Sequence, residues 1–295
     1  MDAPLLKKVR IKINNYNSPQ KRRAISSVYP HLSPAITKIK RLGRDLKNYC
    51  LHGQPFRKRA FFDHVLARHS SPLFRKLGNS DPKLQINKIH NLKLAINKLD
   101  GIVIPPGKTF SLWHHLGKAT SKNGYMEGMV ISNGKVSAGV GGGLCQLSNF
   151  LFWILLHCDV KIIERHHHSV DTFPDSGRTI PFGAGATIFC NYLDLKLKNI
   201  SKEPLQIKLW LTDSQLKGQI LSVKNKEIKF HLQEKNHYFI KNGLEYFRYN
   251  EIWREKHVQG IKITEEKIVE NFAPVKYEVS EKYLKDNAFR VIDIN

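Results

Sequence analysis

Behind Asp81-Pro82, the apolar residues Ile89, Leu92, Ile96 and Leu99 recur at spacings of three and four, and Gly101 follows them. That spacing predicts a helix with one buried face, opened by a capping aspartate and closed by glycine. The pattern then changes period. Ile102-Val103-Ile104 reads as a short buried strand stopped by the turn Pro105-Pro106-Gly107. Short apolar segments then alternate with glycine turns, and Met129-Val130-Ile131 and Lys135-Val136 are predicted to pair around Ser132-Asn133-Gly134. From Leu144 to about His157 nearly every residue is apolar, which predicts a helix buried on most of its circumference. Strands are predicted at Val160 to Arg165, Ala186 to Phe189 and Leu193 to Leu197, with a loop at Pro174-Asp175-Ser176-Gly177. Beyond Asn199 the pattern is β: Leu205, Ile207, Leu209 and Leu211 alternate with Gln206, Lys208 and Trp210, and Asn242-Gly243 marks a hairpin turn.

The segment before this is different in kind. Basic clusters stand at Lys7-Lys8-Val9-Arg10, Lys21-Arg22-Arg23, Lys38-Ile39-Lys40-Arg41 and Arg57-Lys58-Arg59, and Ser33-Pro34 precedes Ile36, Ile39 and Leu42 as a capped helix start. Phe56, Phe61, Phe62 and Phe74 fall at helix core positions rather than on a base-stacking platform. The expected class is α+β in three parts. These are a basic, mainly helical region over 1–80, a mixed α/β core over 81–200 with its buried helix after a glycine-rich turn, and antiparallel strands over 201–295.

Composition narrows the function classes. A chain of 295 residues with 41% hydrophobic content fills a proper core. Its 48 Lys+Arg against 25 Asp+Glu give a net charge of +23, which draws it to anionic partners: a cell-wall peptide or precursor, an anionic membrane surface or, less favoured, nucleic acid. The longest apolar run, Phe150 to Leu156, has seven residues, whereas a membrane span needs about 20. Met1 to Lys8 carries no apolar run of a secretory signal, so the expected location is cytoplasmic, with peripheral attachment to the inner face of the membrane as an option. Four cysteines, none in a C-x-x-C pair, fit reduced thiols. Nothing in the pattern sets an oligomeric state.

The candidate chemistry lies in Gly139-Val140-Gly141-Gly142-Gly143-Leu144-Cys145-Gln146-Leu147-Ser148-Asn149, followed by His166-His167-His168. At a helix N-terminus a thiol is expected to ionise more readily, which makes Cys145 a candidate nucleophile. Gly141, Gly142 and Gly143 leave backbone N–H groups unobstructed for an oxyanion hole, Gln146 is a further donor, and Ser148 shares the helix face of Cys145. A histidine base is needed, and in a strand His166 and His168 share one side while His167 faces the other. Asp171 is placed to orient the imidazole. Two bland readings compete. A cysteine in an apolar helix is often a plain core residue. Cys145, His157, Cys158, the histidines and Cys190 also offer metal ligands, but without paired zinc spacings, and at 1.5 Å per residue His157 lies about 18 Å from Cys145. No metal and no cofactor is expected.

Several blocks together resemble the VanW domain: Pro106-Gly107-Lys108-Thr109-Phe110-Ser111, Gly124-Tyr125, Gly141-Gly142-Gly143-Leu144-Cys145-Gln146-Leu147-Ser148, Glu164-Arg165 with His168-Ser169, and Asn191-Tyr192-Leu193-Asp194-Leu195 with Lys198-Asn199. The matching core covers about 100–200, and the flanks look like stand-alone VanW proteins of vancomycin-resistance gene clusters. The resemblance implies peptidoglycan-related acyl transfer, because exported members act as L,D-transpeptidases through the cysteine of this block. It implies Cys145 as nucleophile and, in the Arg-x-x-His-Ser pattern, His168 as base, with Ser169 beside it. The strongly basic charge suits an anionic cell-wall peptide, and Arg165 or neighbouring lysines are the candidates to hold its carboxylate. Where exported members carry Gly-x-Asp-Ala, this chain has Gly183-Ala184-Gly185-Ala186. The alternative is a non-catalytic accessory protein, with the glycines as a structural turn and the basic region binding anionic precursors, lipid or nucleic acid.

Overall fold

The structure is a computed structural model and describes residues 3–17, 31, 35–36, 38–39, 42–44, 46, 60–74, 81–132, 135–175, 178–189, 192–225 and 227–294. The chain divides into two units, Met1–Lys47 and Asn48–Asn295. In the first, helix α1 (Ala3–Asn17) buries Val9 and Ile13, four residues apart on one face, and exposes Lys7, Lys8 and Arg10. The described residues between 35 and 46 are helical, apart from which the Ser33-Pro34 start and the clusters at Lys21-Arg22-Arg23 and Arg57-Lys58-Arg59 lie outside the described residues.

In the second unit a strand, β1 (His64–Pro72), stands inside the stretch expected to be mainly helical. Its backbone is paired antiparallel with β9 (Gln215–Ser222), which pairs with β8 (Leu205–Leu211), which pairs with β2 (Val103–Ile104). The local sequence of β1 has no clear period, so a partner strand nearly 150 residues away in the chain decides its conformation. One sheet therefore joins residues from all three expected parts, and boundaries at 80 and 200 cut through it.

Helix α2 (Pro82–Leu99) begins as its sequence predicts: Asp81 accepts a hydrogen bond from the Lys83 N–H at 2.8 Å, with proline in the first turn. It buries Leu92, Ala95, Ile96 and Leu99. Next come β3 (Thr109–Ser111), the short helix α3 (Leu112–Leu116), and the hairpin of β4 (Glu127–Ser132) and β5 (Lys135–Val140). Helix α4 (Leu144–Leu156) follows directly and is buried on nearly every side. Strands β6 (Val160–Glu164) and β7 (Lys196–Asn199) complete a small antiparallel sheet in the order β3-β7-β6.

The strand predicted at Ala186 to Phe189 has no ladder; only an isolated bridge joins Phe189 to Leu193. Its polar backbone is satisfied in another way. Asn149 Oδ1 accepts from the Ala186 N–H, Ser148 Oγ donates to the Ala186 carbonyl, and the Thr187 N–H donates to the His166 carbonyl.

The C-terminal part is a meander of β10 (Ile228–Asn242), β11 (Glu245–Val258) and β12 (Ile261–Pro274), then α5 (Glu281–Asp286) and β13 (Arg290–Asp293) parallel to β10. Gly243 turns the predicted hairpin at φ 61°. This sheet is not a separate body. Ile252 and Val269 share the core of α2 and α4, and the buried Arg254 on β11 donates to the carbonyls of Leu156, Cys158 and Val160 at 3.2–3.4 Å, where α4 ends. No helix among the described residues is long and apolar enough to cross a membrane.

Candidate functional site

Cys145 is the second residue of α4, behind Gly143 as N-cap at φ 92°. The glycines before it are required by packing. A Cβ on Gly142 would lie 2.1 Å from the Gly128 carbonyl carbon, and one on Gly143 would lie 2.1 Å from Lys88 Cγ. The backbones of β4 and the helix start cross with no room for a side chain. This closeness also corrects the oxyanion assignment. The N–H groups of Gly141, Gly142 and Gly143 already donate to the carbonyls of Met126, Gly139 and Met129 at 3.0–3.1 Å. The Cys145 N–H lies at the same turn, among the first N–H groups of α4. Gln146 is likewise committed: its Nε2 donates to Ser71 Oγ at 3.0 Å and to the Pro72 carbonyl at 2.7 Å, pinning the helix start to β1.

The Cys145 thiol donates to the Ile188 carbonyl at 3.8 Å. Burial pushes its pKa up, opposite to the lowering expected from the helix N-terminus, because the ion would lose more hydration than the helix end restores. Ser148 is fully buried, with its hydroxyl on the carbonyls of Ala186 and Cys145, so it fastens the segment opposite the thiol rather than facing a ligand.

His168 contacts the same segment. Its Nδ1 bonds Thr187 Oγ1 at 2.9 Å, so Cys145 and His168 touch the consecutive residues Ile188 and Thr187 without bonding each other. Burial, then the charges of Arg165, Arg178 and His167, push the imidazole down to about 4, and the ring is neutral at pH 7. Thr187 is thus the orienting partner that the sequence reading missed; it stood inside an apparent strand alternation, and only contact with His168 gives it a role.

Asp171 does not orient His168. It is buried, pairs its backbone with Pro274 and Lys276, and binds Arg248 at 3.1 Å, Arg178 at 3.3 Å and Tyr277 Oη at 3.0 Å. Arg165 is also engaged. Its guanidinium donates to the carbonyls of Gly183 and Gly185 and to Asn271 Oδ1, and it packs 5.3 Å from the Phe152 ring. It is a brace for the 183–185 loop, not a carboxylate clamp. Burial lowers its pKa to about 10. A Cβ on Gly185 would lie 2.5 Å from Asn149 Oδ1, so the asparagine amide fills the place of the aspartate expected there. His166 bonds Glu164 at 3.0 Å, while His167 and Ser169 are exposed. Asp194 is buried and its pKa is raised by that burial; it accepts from Ser111 Oγ at 2.6 Å and from the Trp113 N–H at 3.1 Å, capping α3. Cys145 and Cys158 are in no disulfide, Cys190 lies outside the described residues, and no group of three or more His, Cys, Asp or Glu converges on a metal position among the described residues.

The family model described as VanW like protein matches residues 87–221, from α2 through β9. The chain is 32% identical over 191 residues to the vancomycin B-type resistance protein VanW of Enterococcus faecalis, covering 65% of this chain and 70% of that protein. The chain belongs to the VanW family. A second relative, the uncharacterized protein YoaR of Bacillus subtilis, is 30% identical over 125 residues, 41% of this chain and 39% of its own. No solved structure matches. The VanW match includes the glycine turn, Cys145, Arg165 and His168, and stops before β10.

The histidines make stability depend on pH. His168 and His69 are both pushed down to about 4, chiefly by burial, from the ordinary 6.5. Below pH 6.5 the unfolded chain takes up these protons first, so stability is full above pH 6.5 and is lost as pH falls toward 4. Allowing for partial exposure, each contributes about 1–3 kcal/mol over that window. Denaturant melts at pH 7.5 and pH 5 are expected to show this loss, reduced in His168→Gln; equal stability at the two pH values would contradict the neutral-histidine account.

Proposed function

We propose that this chain is a cysteine acyltransferase acting on cell-wall peptides or their precursors, with Cys145 as nucleophile and His168 as the proton carrier. The observation that carries the reading is the segment Thr187-Ile188, which takes the hydrogen bonds of both side chains. The resting pair is a neutral thiol and a neutral imidazole. As the sulfur attacks a peptide carbonyl, the thiol proton passes to the free ring nitrogen of His168, and the carbonyl oxygen becomes the oxyanion, for which the Cys145 N–H is the candidate donor. Collapse expels the amine, which leaves with the proton from His168, and a thioester remains for an acceptor amine. A peptide bearing carboxylates suits a net charge of +23. In a cytoplasmic setting the substrate would be a precursor at the inner face of the membrane.

Incubation with a stem-peptide donor analogue and intact-mass spectrometry tests the proposal. The wild type is expected to gain one acyl group, and Cys145→Ala and His168→Ala to gain none. Equal labelling of Cys145→Ala would remove the cysteine from the reaction.

A second reading is a non-catalytic accessory protein that binds anionic precursors, lipid or nucleic acid. It is favoured by the raised thiol and by the prior engagement of the three glycine N–H groups. Binding to anionic vesicles that collapses between 50 and 300 mM salt, on the order of the screening expected for surface charges, together with a thiol that resists iodoacetamide in the folded protein, is its expected signature.

A further inference from the structure

The described residues of the arm that carries His168, 165–175 and 178–182, are held from the C-terminal sheet, which lies beyond the VanW match. Arg248 on β11 is fully buried. Its Nη1 reaches Asp171 Oδ2 at 3.1 Å and Asp175 Oδ1 at 2.9 Å, its Nη2 binds Asp175 Oδ2, and its Nε donates to His237 Nε2 at 2.8 Å. Four hydrogen bonds thus hold the guanidinium, with the rings of Phe182, Phe239 and Phe289 packed 4.6–5.3 Å away. The bond to His237 fixes that ring with its proton on Nδ1, toward Glu234 at 3.3 Å. Asp171 stands three residues after His168, and its backbone is stitched to the end of β12 through Pro274 and Lys276.

The hold extends to both sides of the histidine. On the near side Arg165 reaches Asn271 Oδ1 on β12. On the far side Asn250 and Asn271 both donate to the Phe182 carbonyl. A loop alone has no reason to keep an imidazole fixed against Thr187; a loop clamped at 165, 171, 175 and 182 by one rigid sheet does.

We propose that the C-terminal sheet is the support that sets His168 against Thr187 and the cysteine helix, and that Arg248 is its positioning residue, acting through Asp171 and Asp175. The inference rests on His168 being the functional histidine of the acyl-transfer reading. It assigns to the segment after residue 221 a part in the site rather than a separate binding role. Lysine at 248 keeps one charge but cannot bind both carboxylates in the forked geometry, so the arm should loosen while the sheet persists.

The test is an NMR titration of the histidine side chains in the full chain, comparing wild type with Arg248→Lys and Asp175→Asn, with Arg248→Ala as the severe variant. The groups acting on His168 are Thr187 by hydrogen bond and Arg165, Arg178 and His167 by charge. A loosened arm admits water, so the His168 midpoint is expected to rise by about one pH unit or more in the folded variants. Donor-analogue labelling of Cys145 is expected to fall about tenfold or more, as for a misplaced catalytic group. Leu284→Ala, a core substitution in the same C-terminal part, is the control for simple destabilisation and is expected to leave the midpoint in place. An unchanged His168 midpoint in folded Arg248→Lys and Asp175→Asn overturns the proposal, as does an equal rise in Leu284→Ala. If Arg248→Ala does not fold, the two milder variants still decide. A wild type that takes no label defeats the acyl-transfer reading, whereas the titration judges the positioning role independently of activity.

Discussion

Replacing Arg254 by alanine is expected to lower the stability of the chain by about 3 kcal/mol, since it removes a charged donor from several buried carbonyls at once. The last carbonyls of a helix have no partner within it. For α4 those of Leu156 and the following Cys158 and Val160 are buried, and the Arg254 guanidinium, 6% exposed, satisfies them from the neighbouring sheet at 3.2–3.4 Å. Its stem also fills space beside the Phe230 ring, 4.9 Å away. Its ion-pair partner Glu266 is 59% exposed and stays hydrated when the arginine is lost, so the buried carbonyls that lose the guanidinium set the penalty, least at Cys158, whose carbonyl keeps the Val160 N–H at 2.8 Å. Urea denaturation of Arg254→Ala and Glu266→Gln separates the two effects. The glutamate variant is expected to lose less than about 1 kcal/mol; losses of equal size in both would show that the ion pair, not the helix end, is what Arg254 serves.

Gly142→Ala is the second large effect, expected to destabilise by about 3 kcal/mol or more. The added carbon would lie 2.1 Å from the Gly128 carbonyl carbon and 2.2 Å from its oxygen. Both sides of that contact are backbone, so no side chain can swing away, and separating them would pull β4 from the start of α4. Gly107→Ala provides the comparison. Its φ of +73° disfavours a side chain, but nothing lies within 4 Å of the new carbon, and the expected loss is about 1 kcal/mol. Circular dichroism melts of the two variants check the ordering; a Gly142→Ala protein as stable as Gly107→Ala would show that the crossing is looser than its geometry.

These effects also show where sequence reading succeeds. Helix α2 was legible from Asp81, Pro82 and four spaced apolar residues because each acts within a few residues of itself. The hairpin at 127–140 and the turn at Asn242-Gly243 were legible for the same reason. The helix starting at Leu144 was legible from its apolar run, and the glycine block pointed to Cys145. The purpose of the glycines was read differently, since three flexible residues before a cysteine suggest free N–H groups. The structure shows instead a backbone crossing in which those groups are already bonded. Strand β1 was missed because its pairing partner is β9, and the false strand at 186–189 arose because alternation cannot reveal that Ser148 and Asn149 take its hydrogen bonds.

By itself the sequence determined the elements whose signals are local: capped helices, glycine turns, alternating strands, the buried helix and the family blocks that single out Cys145 and His168. The tertiary structure alone decided who orients whom. Asp171, near His168 in the chain, turns away to Arg248, while Thr187, nineteen residues on, supplies the bond to the imidazole. Arg165 braces a loop, and Arg248 and Arg254 tie the C-terminal sheet to both the histidine arm and the cysteine helix. Buried charges and polar atoms must be satisfied by whatever lies next to them in space, and the distance between residues along the chain does not say what that is.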